Sequence, residues 1–121
     1  VSHSPAPDAP VGELVQGGRK DDGEKVRTDL YSIPAYLGTC RVLTFGAKKY
    51  AAWNWSKGIL YMRIFGAILR HLFAWVTGED NDPETGLPHL DHAACELMFL
   101  QHFTKDGKYR QYDDRPYGKV A

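Results

Sequence analysis

The sequence predicts an all-α protein: a compact bundle of three to four helices with a mobile N-terminal arm and an irregular C-terminal tail. Three observations carry this. Apolar residues recur at helical spacing through the middle of the chain. Helix start and stop residues bracket those stretches, with Ser32 and Pro34 before the first, Gly78 after the second and Pro88 before the third. No stretch alternates apolar and polar residues for long enough to be a half-buried strand.

The chain has 121 residues, 43% of them hydrophobic, which suits one domain with a modest core. Residues 1–18 (VSHSPAPDAPVGELVQGG) are rich in Pro, Ala, Gly and Ser and read as a flexible arm. Residues 19–121 read as a single helical domain. Its first stretch, RKDDGEKVRTD, is charged without periodicity, the pattern of a solvated segment.

The first helix starts at Ser32, a good N-cap with Pro34 in the first turn. It runs through Gly38, where Thr39 is placed to cap a fresh helix, and Val42, Leu43, Phe45, Gly46 and Tyr50 keep helical spacing. WNWSKG (residues 53–58) reads as a loop. The second helix, over 59–77, is long and apolar and closes at Gly78. Its band is Phe65, Ile68, Leu69, Leu72, Phe73 and Val76. Arg63 and Arg70, seven residues apart, share a face with Gly66, Ala67 and Ala74, forming a shallow groove with cationic ends; the alternative is two snorkelling surface arginines. The third helix, over 89–104, follows Pro88. His89, His92 and Glu96 fall within an arc of about 60°, at the boundary of an apolar arc of Leu90, Ala93, Leu97 and Leu100. The tail from 105 is polar and Tyr-rich, expected to be extended or loose.

Formal net charge is zero, so nothing calls for a nucleic acid or an acidic membrane as partner. No apolar run is long enough to span a bilayer and the N-terminus lacks a secretory pattern, which points to a cytoplasmic chain. Cys40 and Cys95 have no CxxC spacing and read as buried free thiols. A core this small makes a homo-oligomer the expectation.

Chemistry concentrates in GEDNDPETGLPHLDH, residues 78–92, with acids in a Gly/Pro-bracketed loop and two histidines at a helix start. The spacing H-x-x-H-x-x-x-E aims side chains from one helical face at a shared point, which suits a metal ion. The loop acids add oxygen ligands, and His71 reaches the same face if the second and third helices pack antiparallel. The candidate ligands are His71, Glu79, Asp82, His89 and His92. They would hold a divalent ion, Mg or Mn or, given the imidazoles, a histidine-preferring transition metal. Glu96 and Glu84 are the candidate general bases. The alternative is that His89 hydrogen-bonds the acidic loop and His92 is a satisfied boundary residue.

FGAKKYAAWNWSKG (residues 45–58) gathers cations, aromatic rings and an amide. Lys48 and Lys49, with Arg63 and Arg70, suit phosphates; Tyr50 or Trp55 suits stacking on a base; Asn54 suits a base edge. The alternative is a helix end with aromatic packing anchors.

KVRTDL, RVLTFGAKKYAAWNW and RHLFAWVTGEDNDPETGLPHLDHAACELMFL together resemble a small phage and prophage family, the N-terminal domain of dATP/dGTP diphosphohydrolases, over about residues 20–103. The resemblance implies hydrolysis of a purine deoxynucleoside triphosphate to monophosphate and pyrophosphate, in the cytoplasm of an infected or lysogenic host. All-α MazG-like pyrophosphohydrolases are the suspected relatives. Those hold Mg²⁺ with ExxE on one helix and ExxD on the next. Here His89-x-x-His92 stands where ExxD is expected, and Arg70-His71 replaces the paired glutamates. The His-Asp doublet of HD-type triphosphohydrolases is missing too. Three readings follow: a metal-dependent hydrolase of dATP or dGTP, a non-catalytic protein that binds or sequesters nucleotides, and an oligomeric interaction module.

Overall fold

The computed structural model describes residues 17–117. The arm expected over 1–18 lies outside them except for Gly17 and Gly18, which are exposed. The chain divides into a unit ending at Leu30 and a second running from Tyr31. The described part of the first is exposed throughout, with a short 3-10 turn at Thr28–Leu30 and an Arg27 guanidinium that donates twice to the Asp29 carboxylate at 2.8 Å.

The second unit is helical: α1 (Ile33–Lys49), α2 (Tyr61–Val76) and α3 (His89–Thr104), with 3-10 segments at Asn54–Lys57 and Gly107–Tyr112. Among the described residues there is no strand, only an isolated antiparallel bridge between Asn81 and Pro88. The all-α bundle predicted above is therefore the observed fold.

The starts of α1 and α2 have physical reasons. The Ala35 N–H donates to Ser32 Oγ at 3.1 Å, with Pro34 in the first turn as predicted. Helix α1 then runs unbroken through Thr39, so the fresh start expected there does not form. Gly38 is the buried residue of α1, and a Cβ there would meet the Asp91 carboxyl at 2.5 Å. The bare backbone is what lets α1 approach α3.

At the end of α2 the Thr77 hydroxyl donates to the Phe73 and Ala74 carbonyls, and Gly78 follows with φ +105°, the left-handed cap that the sequence signalled. Helix α2 has no side-chain cap of its own; the Met62 N–H donates instead to Asp114 Oδ1 at 2.9 Å. That bond comes from the tail, which is not loose as expected. Residues 107–112 form a 3-10 turn that buries Tyr109, whose hydroxyl donates to the Ser56 carbonyl at 2.6 Å. The Tyr112 hydroxyl donates to the Lys57 carbonyl. Tyrosines anchor here because each buries a ring and still satisfies its hydroxyl.

Helices α2 and α3 are antiparallel: Tyr61 at the start of α2 stacks on Phe103 near the end of α3, while His71 lies against His92. Tyr61, Ile64, Ile68, Ala93, Phe103 and Tyr109 form the core. Phe103 is 1% exposed. Two apolar stripes expected to face inward do so only in part. Leu90 and Leu97 are exposed, as are Phe65, Leu72, Phe73 and Val76. Helix α3 instead turns its histidine-bearing side toward α2, and His89 is the buried polar side chain. Three helices of 16–17 residues offer too little facing surface to cover the whole apolar band of α2.

Candidate active site

A groove of about 1080 Å³ opens between α1, the Trp53–Trp55 turn, α2, the loop after α2, and α3. Its walls follow from the fold. Helix α2 contributes Arg63, Ala67, Arg70 and His71, and α3 contributes His92 and Glu96. The loop over 78–88 folds back on itself: the Asp82 N–H donates to the Leu87 carbonyl at 2.8 Å and the Gly86 N–H to the Asp82 carbonyl at 2.7 Å, with Gly86 at φ +74°. Asp82 Oδ1 accepts from the Glu84 N–H at 3.0 Å, an Asx turn that leaves the other oxygen toward the histidines.

The five candidate ligands separate into two layers. One donor atom each from His71, Asp82 and His92 lies within 4.8 Å of the others, and all three residues are half-buried. His92 Nε2 is 3.7 Å from Asp82 Oδ2 and 2.7 Å from Thr85 Oγ1. His89 and Glu79 stand behind. His89 Nε2 faces Glu79 Oε1 at 2.7 Å and His89 Nδ1 faces His71 Nδ1 at 2.9 Å. With both of its nitrogens so engaged, His89 hydrogen-bonds the acidic loop, the alternative weighed for it above.

Two histidines and a carboxylate form a donor set that suits a transition ion such as Mn, Fe, Co or Zn. Burial and the neighbouring imidazoles hold the His71 pKa below its ordinary value. Burial does the same for His92, against an opposing pull from Asp82. Both shifts favour the neutral imidazole that a metal requires.

One turn beyond His92 on α3, Glu96 is pushed up to about 7 by burial, against the opposing pull of Arg70. A carboxyl in that range exchanges protons near neutrality. Glu84 also lines the groove but is exposed.

Of the residues expected to meet a nucleotide, Lys49, Tyr50, Asn54, Trp55, Arg63 and Arg70 line the groove. Lys48 does not; it is exposed on α1 outside the lining. Trp55 is committed on one face, stacked on Phe99 at 4.8 Å, with His102 edge-on. The freer ring is Trp53, a member of the same aromatic run that was not singled out for base stacking. It lines the groove at 68% exposure and holds φ +65°, a left-handed conformation uncommon for a bulky residue. The Trp-Asn-Trp run marks both rings, but nothing in it tells which is buried. Thr85 was also missed; a lone Thr in an acidic loop carries no signal of a histidine partner.

No described helix is long and apolar enough to cross a membrane. Cys40 and Cys95 are free, and burial pushes the Cys95 thiol up to about 12; Cys40 is only half-buried.

A dATP/dGTP diphosphohydrolase of Salmonella phage PMBT28 is 43% identical over 60 residues, half of this chain and 20% of the phage protein. The matched stretch thus spans about a fifth of that relative. No solved structure matches. The family model described as dATP/dGTP diphosphohydrolase, N-terminal, matches residues 15–115, and the chain belongs to that family.

Proposed function

We propose that the groove binds a purine deoxynucleoside triphosphate, dATP or dGTP, and that the chain hydrolyses it to the monophosphate and pyrophosphate. The observation that carries this is the convergence of His71, Asp82 and His92 beside Glu96 in a groove that Lys49, Arg63 and Arg70 also line. A volume of about 1080 Å³ is ample for a nucleoside triphosphate.

His71, Asp82 and His92 are the residues to hold a divalent ion, which when bound would polarise a phosphoryl oxygen and lower the pKa of water. The His71 and His92 rings lie parallel, within 4°, and an imidazole lone pair lies in its own plane, so one ring must turn for both to face one ion. His71 is tied to His89 and His92 to Thr85; in this reading His92 turns and gives up its threonine contact. Arg63, Arg70 and Lys49 neutralise phosphate charge. Trp53 or Tyr50 stacks the base, and Asn54 meets its edge. Glu96 takes the proton of the attacking water as the bond from the α-phosphorus to its bridging oxygen breaks and pyrophosphate leaves.

The test is incubation of the full chain with dATP or dGTP and Mn²⁺ or Co²⁺, with products separated by chromatography. Monophosphate and pyrophosphate, lost in His92→Ala and Glu96→Gln, are expected. Intact triphosphate in every metal overturns the reading. A second reading has its own support: the matched stretch is only a fifth of the phage relative, so this domain can bind the nucleotide while hydrolysis belongs to another part of such a protein. Stoichiometric binding without products would select it.

A further inference from the structure

We infer that Glu79 and His89 form an orienting relay that fixes the tautomer of His71 and leaves its Nε2 lone pair free for the site that His71 shares with Asp82 and His92. The inference deepens the metal-site reading above and rests on it for its purpose, though not for its chemistry.

The relay begins at its outer end, Glu79. An ionised carboxylate only accepts hydrogen bonds. Glu79 Oε1 is 2.7 Å from His89 Nε2, so the proton of a neutral His89 sits on Nε2. Its Nδ1 is then a bare lone pair. His71 Nδ1 stands 2.9 Å from that lone pair, and two lone pairs cannot face each other at that distance, so His71 carries its proton on Nδ1. The remaining nitrogen of His71, Nε2, is left as the acceptor or ligand atom.

The two ends of the relay differ in a telling way. His89 is 6% exposed at its side chain and both of its nitrogens are engaged, whereas Glu79 is 52% exposed. The imidazole is fixed by packing, and the carboxylate reaches it from the rim. Glu79 has a second tie to the fold, since its N–H closes the end of α2 on the Ala74 carbonyl at 3.1 Å. The His89 N–H is likewise held on the Asp80 carbonyl at 2.9 Å. Backbone therefore sets the register between the end of α2 and the start of α3, and the relay spans that junction. Glu79 and His89 are positioning residues that act through His71; outer partners of this kind hold a ligand ring in one tautomer and one orientation.

Long-range nitrogen–proton NMR correlations of the imidazole rings read the tautomer directly in the full chain without metal. The wild type is expected to show His71 as the Nδ1–H form. Glu79→Ala is expected to give a mixture, since His89 is then released to carry its proton on either nitrogen. Glu79→Gln, whose amide oxygen still accepts from His89 Nε2, is expected to stay near the wild type. Co²⁺ titration followed by visible absorption is expected to show affinity lower by about 10–100-fold in Glu79→Ala and restored in Glu79→Gln. An Nε2–H tautomer of His71 in the wild type overturns the relay, as does an unchanged tautomer in Glu79→Ala. Failure of the wild type to bind Co²⁺ at all overturns the metal-site reading instead and leaves the tautomer result to decide the relay.

Discussion

The Nδ1 atoms of His71 and His89 stand 2.9 Å apart, so one proton serves both rings. That single contact joins α2 to α3 and divides five candidate ligands into a set that faces the groove and a pair that stands behind it. Replacing a member of the facing set and replacing a member of the rear pair therefore have different consequences.

Asp82→Ala and His92→Ala each remove a facing donor. Affinity for Co²⁺ should fall at least about 100-fold, beyond the range typical of an orienting partner. Thermal stability should change little for Asp82→Ala, whose side chain makes one Asx turn and a 3.7 Å approach to His92. Calorimetric titration of the two variants checks the affinities, and scanning calorimetry checks the stability.

Glu96 has a pKa raised from 4.5 to about 7 by burial. The folded state then holds a proton that the unfolded chain releases, so this group's contribution to stability falls as pH rises from about 4.5 to about 7. Glu96→Gln should remove that slope and stabilise the protein at pH above 7 by on the order of 1–3 kcal/mol. Turnover by the wild type should rise with pH through the same region as the base ionises. Denaturation midpoints and a pH–rate profile measure the two effects separately.

His71 and His92 have the opposite sign. Their folded-state pKa values lie below the ordinary 6.5, so their contribution to stability is complete above 6.5 and is lost as pH falls below it. Acid unfolding should shift to lower pH in a His71→Asn protein. Circular dichroism followed against pH tests this.

Trp53 is exposed and lines the groove. Trp53→Ala should weaken dATP binding by about 1–3 kcal/mol, the range for loss of one base-stacking ring. It should leave the melting temperature close to that of the wild type. Quenching of tryptophan fluorescence by dATP, compared between the two proteins, reads this out; equal affinity would exclude Trp53 as the platform.

Gly58 has φ +107°, and a Cβ there would run into the Tyr112 ring. Gly58→Ala should destabilise by about 2 kcal/mol or more, from backbone strain and the displaced ring together. The variant should also lose protection of the tail amides in hydrogen exchange, because Tyr112 is one of the tail's anchors on the 3-10 turn before α2.

The helices themselves were legible because their determinants are local. Ser32 and Pro34, Gly78, and the Pro88 that precedes α3 act within a turn of their own positions. The Arg63–Arg70 face also followed from helical period alone, since residues seven apart share a side whatever packs against them. The break expected at Thr39 failed for want of a long-range term. Gly38 reads as a helix weakness in isolation, and only the Asp91 carboxyl packed over it shows why a residue without a Cβ stands there. The tail failed for the same reason. A polar, Tyr-rich run has no period, and its order comes from bonds to Ser56, Lys57 and Met62, each about 50 residues away in the chain.

By itself, then, the sequence determined the three helices, the acidic loop between the second and third, and the inventory of imidazoles, carboxylates, cations and rings around them. The tertiary structure alone decided which of these face one another. Three tertiary outcomes set the site: which arc of α3 turns toward α2, whether Trp53 or Trp55 is the covered ring, and which histidine lies in front. Helical period places side chains on a face, but which face is buried depends on partners distant in the chain. That is why His89, spaced like a ligand, sits behind His71 with both of its nitrogens already taken.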